Sequence, residues 1–178
     1  MTNGWILVWD LDETLVSGWP EYPQVNQTAL KILELADIAR NAGRVEAIFL
    51  LTNNSDQEYI NAALVQLPQF DGVMDSTHFS RKHIYSSDNM NGNVTKGLSD
   101  VVQLFAEAGI SVSKSDIKKR VLFFDNYPSH VIKDEIPIKH YIHITPDFKA
   151  GSKKRDLTRW DYVRKLLLPS KRYTRKLR

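Results

Sequence analysis

A chain of 178 residues, 42% hydrophobic and 25% charged, has room for one domain with a sizeable core and the make-up of an ordinary globular protein. No apolar run approaches the roughly 20 residues of a membrane span, and no basic stretch precedes the first apolar run as a secretory signal requires. With no cysteine there is neither a disulfide framework nor thiolate chemistry, the net charge of +3 is unremarkable, and an intracellular location, cytoplasmic or nuclear, is the expectation.

The first element is the apolar run Trp5-Ile6-Leu7-Val8-Trp9, which passes directly into Asp10-Leu11-Asp12-Glu13-Thr14. A short, nearly continuous apolar run reads as a strand buried on both faces, the usual case in a parallel sheet. If the backbone stays extended through Asp12, the two aspartates project to one side. Like charges brought together need a cation or a shared proton, and magnesium, which accepts carboxylates and keeps water and phosphate oxygens, suits that need. The bland alternative is an acidic turn after a strand.

Ser17 to Pro23 is a breaker-rich loop. A helix is expected from about Thr28 to Ala42, closed by Gly43, then a second buried strand from Val45 to Leu51 that ends at Thr52-Asn53-Asn54. Ser55 and Glu58 have capping-box spacing for a helix from Asp56 to about Leu67. Between Pro68 and Asn93 the pattern is irregular, with short strands expected at Phe70–Met74 and His83–Ser86. A helix from about Thr95 to Ala108 places Lys96 at its start, and Arg120 to Phe124 is a third buried strand ending in Asp125-Asn126. Lys139 to Ile144 alternates as an edge strand. A last helix, Ser152 to Leu168, carries a stripe of Leu157, Trp160, Val163 (or Tyr162) and Leu167. Strands alternating with helices predict an α/β fold, with a central parallel sheet between helical layers.

From Lys149 to Arg178 twelve Lys/Arg face two acids, a net of +10, which leaves residues 1–148 at −7 of the chain's +3. A basic terminus on an acidic body suits nucleic acid, an acidic protein or an anionic surface, or is simply a solvated helix with a frayed end. The expected division is 1–150 as one domain and 151–178 as a basic helix and tail on or beyond it. Other candidates for chemistry are weaker. His140 and His143 face opposite sides of their strand, His78, His83 and His130 lack ligand-spaced partners, and there is no glycine-rich phosphate loop.

Three strand ends (Asp10/Asp12, Thr52/Asn53, Asp125/Asn126) and Lys96 together supply what phosphoryl transfer needs: a nucleophile, a proton donor, cations, and orienting donors. They also match, in order, the four motifs of the haloacid dehalogenase (HAD) superfamily, which the stretch Trp5 to Thr145 resembles. DLDETLV, and DNYPS read against the DNSP form, are most similar to the carboxy-terminal-domain (CTD) phosphatase branch, including the small CTD phosphatases. The resemblance implies a Rossmannoid three-layer fold without a large cap domain, since neither Val16–Val45 nor Asn54–Lys96 has room for one. It implies Asp10 as nucleophile and Asp12 as acid/base. Thr52, with Asn53 beside it, and Lys96 would hold the phosphoryl group, and Arg81 would contribute to phosphate binding from the insertion. Asp10, Asp12 (through its carbonyl), Asp125 and Asn126 would hold Mg2+. Lys96-Gly97-Leu98-Ser99 departs from the family's KDLS, glycine replacing whatever the aspartate anchors. An uncapped site suits phosphoserine or phosphothreonine on a protein. A polynucleotide 3′-phosphatase, with the basic tail as strand-binding surface, and a catalytically silent binding module remain open alternatives.

Overall fold

The apolar runs become the strands of one parallel sheet, and the amphipathic segments cover its two faces. The structure is a computed structural model and describes residues 4–54, 56–67, 78–79, 95–107, 109–128, 131, 135–144 and 161–168. In chain order these hold β1 (Trp5–Trp9), β2 (Val16–Ser17), β3 (Gln24–Val25), α1 (Gln27–Asn41), β4 (Val45–Leu51), α2 (Gln57–Val65), β5 (His78–Phe79), α3 (Leu98–Glu107), the single turn α4 (Lys114–Ile117), β6 (Val121–Asp125) and β7 (Tyr141–His143). A further helix, α5, covers 161–167. Among the described residues no helix is long and apolar enough to cross a membrane.

The sheet order is β5-β4-β1-β6-β7, every neighbouring pair parallel. This is the α/β architecture expected, with β1 at the centre and β7 at an edge. Side chains alternate between two cores. Leu7, Trp9, Ile48, Leu50, Leu122, Phe124 and Ile142 pack with α1, α2 and α5, and Trp9 stacks on Phe124 with ring centroids 4.0 Å apart. Ile6, Val8, Phe49, Leu51, Val121 and Phe123 pack with α3 and α4 on the other face. Burial on both sides is why these strands read as continuous apolar runs.

Several local expectations shift. The cap of α2 is Asp56, whose carboxylate accepts the amide of Tyr59; Ser55 lies outside the described residues. Helix α1 starts earlier than expected, because Asn26 caps it by accepting the amides of Thr28 and Ala29. The loop after the first motif is closed by a small antiparallel ladder, Val16 opposite Val25 and Ser17 opposite Gln24. Gly18 permits that turn: it has φ +102°, and a Cβ there would lie 2.8 Å from the Tyr22 carbonyl oxygen. Lys96 precedes its helix, forming a parallel bridge with Val131, and α3 begins only at Leu98. The expected edge strand opens with a 3₁₀ turn, Ile138–His140, so His140 leaves the strand and is buried edge-on against Trp5.

In α5, Val163 and Leu167 are buried and Tyr162 is exposed, its hydroxyl donating to the Lys139 carbonyl at 2.9 Å. Val163 therefore holds the stripe position. Leu157, Trp160, the expected strands at Phe70–Met74 and His83–Ser86, and the basic end from Pro169 lie outside the described residues.

Candidate functional site

Parallel strands present their carboxyl ends on one edge. Here β1, β4 and β6 deliver Asp10, Thr52 and Asp125 side by side, and the Lys96 bridge brings an ammonium beneath them. The ladder carries on past β1, the Asp10 amide donating to the Phe124 carbonyl at 2.9 Å.

Lys96 lies between two acids. Its Nζ donates to Asp10 Oδ1, a short contact, and to Asp125 Oδ2 at 2.9 Å. All three side chains are buried. The second Asp10 oxygen accepts from the Thr14 hydroxyl at 3.1 Å, and that hydroxyl oxygen accepts the Asn126 amide at 2.9 Å. Asn126 Oδ1 stands 3.4 Å from the same hydroxyl. The second Asp125 oxygen accepts the Tyr127 amide at 2.7 Å. Behind this row, Tyr141 donates to the Asp125 carbonyl and His143 Nε2 lies 2.9 Å from the Asn126 carbonyl.

Asp12 is half-buried and forms a separate group. Its Oδ1 accepts from the Asn54 side-chain amide at 3.0 Å, and the Thr52 hydroxyl stands at a long 3.5 Å from Oδ2. That hydroxyl in turn accepts the Asn54 backbone amide. Asp10, Asp12, Glu13, Asn53, Asn126 and Tyr127 line one cavity of about 410 Å³.

One ammonium facing two buried carboxylates leaves the group net negative. Burial pushes Asp10 up to about 7 against the pull of Lys96, with Asp125 and Asp12 adding to the rise. Burial likewise raises Asp12, opposed by its hydrogen bonds from Asn54 and Thr52. Burial pulls Lys96 down, but Asp10 and Asp125 outweigh it, and its ammonium is held above the ordinary value.

The donor chemistry suits a hard cation. Asp10 and Asn126 bring a carboxylate and an amide oxygen to either side of the Thr14 hydroxyl, on the wall of a cleft that also takes in Asp12. Among the described residues no three His, Cys, Asp or Glu side chains group as a metal site, and both Asp125 oxygens are engaged by Lys96 and the Tyr127 amide. A set of few protein oxygens fits magnesium, which keeps several waters.

Of the candidates, Asp10, Asp12, Thr52, Asn53, Lys96, Asp125 and Asn126 come together at this edge, and Arg81 lies outside the described residues. The sequence reading passed over Thr14, Asn54, Glu13 and Tyr127 as site residues. Thr14 sits four residues after Asp10, where a single turn returns its hydroxyl to that carboxylate. Asn54 lies two past Thr52, on the same side of an extended backbone. After Lys96, Asp100 accepts the Gly97 amide at 2.6 Å and Glu135 the Leu98 amide at 2.9 Å, so two carboxylates anchor this segment.

No protein-family model matches the chain, and no curated protein does. Among solved structures it is similar to a variant of the fission yeast RNA polymerase II CTD phosphatase Fcp1 bound to beryllium fluoride, with 11% identity and a TM-score of 0.47. The alignment covers 93% of this chain and 54% of that one, so the chain spans about half the length of the protein it matches.

Proposed function

We propose that the chain is a magnesium-dependent phosphatase of the HAD type, working through an aspartyl-phosphate on Asp10, with phosphoserine or phosphothreonine in a protein as substrate. The observation that carries this reading is the buried Asp10–Lys96–Asp125 group at the carboxyl end of the central strand, opening on a cleft that holds a second raised carboxyl, Asp12.

Asp10 Oδ attacks phosphorus and the bond to the ester oxygen breaks. Asp12, whose burial favours its protonated form, gives that oxygen a proton. In the second half Asp12 takes a proton from water as the water attacks the acyl phosphate, releasing phosphate and restoring Asp10. Lys96 fixes the Asp10 carboxylate, and its ammonium has a third N–H beyond those given to Asp10 and Asp125, suited to a phosphoryl oxygen. Asn54 and Thr52 hold Asp12 in place. Asp10, Asn126 and the Asp12 carbonyl would hold magnesium, which when bound offsets the negative charge of nucleophile and phosphate.

The test is hydrolysis of a chromogenic aryl phosphate with magnesium and with chelator, followed by a phosphopeptide panel. Wild-type turnover should disappear with chelator, and Asp10→Asn should lower it by about 10³-fold or more while far-ultraviolet circular dichroism stays unchanged. Full activity in that variant would remove Asp10 as nucleophile and with it this reading.

A further inference from the structure

Glu13 is among the cavity-lining side chains that the chemistry above does not use. Glu13 lies between the acid/base candidate and Thr14, exposed, with φ +56°, a backbone conformation that a glutamate seldom adopts. The turn that imposes it is tightly held: the Leu11 carbonyl accepts the amides of Thr14, Leu15 and Val16, and Leu11, Thr14 and Leu15 are all fully buried. Among the described residues no hydrogen bond or ion pair engages the Glu13 carboxylate. A tightly held turn thus presents, at the wall of the cleft, a negative charge that no described residue pairs. Presenting it this way reduces the ordering needed when a partner binds.

The rest of the wall agrees in sign. Among the described residues the lining comprises three acids, two asparagines and Tyr127, with no Lys, Arg or His, and Lys96 is only 1% exposed behind them. The body from 1 to 148 carries −7. A phosphate arriving on a polyanion brings further phosphates against these acids, which like-charge contact penalises. A phosphate whose neighbour is cationic meets the opposite situation, since its positive group can reach Glu13 on the same cavity.

We propose that Glu13 makes the site selective for phosphoserine or phosphothreonine flanked by lysine or arginine, and against polynucleotide ends. The proposal rests on the phosphatase reading, so the experiment separates the two. The full chain is assayed with four substrates: an aryl phosphate, one phosphoserine peptide with arginine neighbours, the same peptide with aspartate neighbours, and a 3′-phosphorylated oligonucleotide. The quantity read is the ratio of kcat/KM for the arginine and aspartate peptides within each variant. Wild type should favour the arginine peptide about tenfold at low salt, and the ratio should shrink at 0.5 M salt because exposed charges are screened. Glu13→Gln should lower the ratio severalfold towards one, and Glu13→Lys should lower it further. Glu13→Asn removes the charge with a residue suited to positive φ, which guards against a misfolded glutamine variant. A wild-type ratio near one, a ratio unchanged in the Gln and Asn variants, or faster turnover of the oligonucleotide than of either peptide would overturn the proposal while leaving Asp10-dependent aryl-phosphate hydrolysis intact. Absence of that hydrolysis would instead bring down the phosphatase reading and the selectivity built on it.

Discussion

The two ends of the sheet carry contrasting ion groups. At the amino end Arg120 meets Glu46 in a short one-to-one pair, and its guanidinium also donates to the carbonyls of Gly4 and Asp116. Glu46 is free to turn there because the register slips beside it, Trp5 pairing with Val45 and Ile6 with Ala47. At the carboxyl end one Lys96 faces two acids, all essentially out of solvent. The first group is balanced and joins the ends of β1, β4 and β6. Among the described residues the second sets one cation against two acids, an arrangement that costs stability. Unevenly paired buried charges of this kind cluster at functional sites, though structural ion-pair networks show them too.

The largest effect expected from breaking this contrast is that of Lys96→Met. Removing the ammonium strands two buried carboxylates and should lower stability by about 3–5 kcal/mol, read from urea unfolding. A loss under about 1 kcal/mol would mean that the acids were never held by it.

Next comes pH. Asp10 titrates near 3.8 when unfolded and at about 7 in the fold. Between those values the folded state holds the extra proton, so in metal-free buffer wild-type stability should fall as pH rises from about 4 to 7 and level off above. Asp10→Asn lacks this term, so the urea midpoints of the two proteins should shift relative to one another across that window in the variant's favour. Parallel curves would show that Asp10 is not held out of balance. The smallest change is expected from Arg120→Gln, about 1–2 kcal/mol, because the stranded Glu46 keeps some access to water. If it equals the Lys96 effect, the contrast between the two ends does not hold.

The residues at the carboxyl end were easier to find than the way they are held. Asp10, Thr52 and Asp125 could be picked out because each ends an apolar run, and a two-faced parallel strand has few other places for a polar residue. Lys96 was found as a candidate, but its placement was not, since its bridge to Val131 pairs residues 35 apart in the chain with no local pattern between them. The cap of α2 illustrates the same limit at short range. Ser55 and Glu58 have the capping-box spacing, yet the Asp56 side chain takes the Tyr59 amide. Glu13 escaped notice because a positive φ on glutamate is imposed by the turn around Leu11 and has no signature in residue type.

The sequence by itself determined the α/β class and the sheet edge on which the polar residues would gather, because apolar periodicity and the direction of parallel strands are local and additive. It also located the acids and the lysine, and the charge division between body and tail. Tertiary structure decided which of these groups touch. It put Lys96 between Asp10 and Asp125, gave Asp12 to Asn54, and left Glu13 facing the cleft without a partner among the described residues. Those outcomes depend on distances between elements far apart in the chain, and at a buried site a shift of one ångström separates a paired charge from a stranded one.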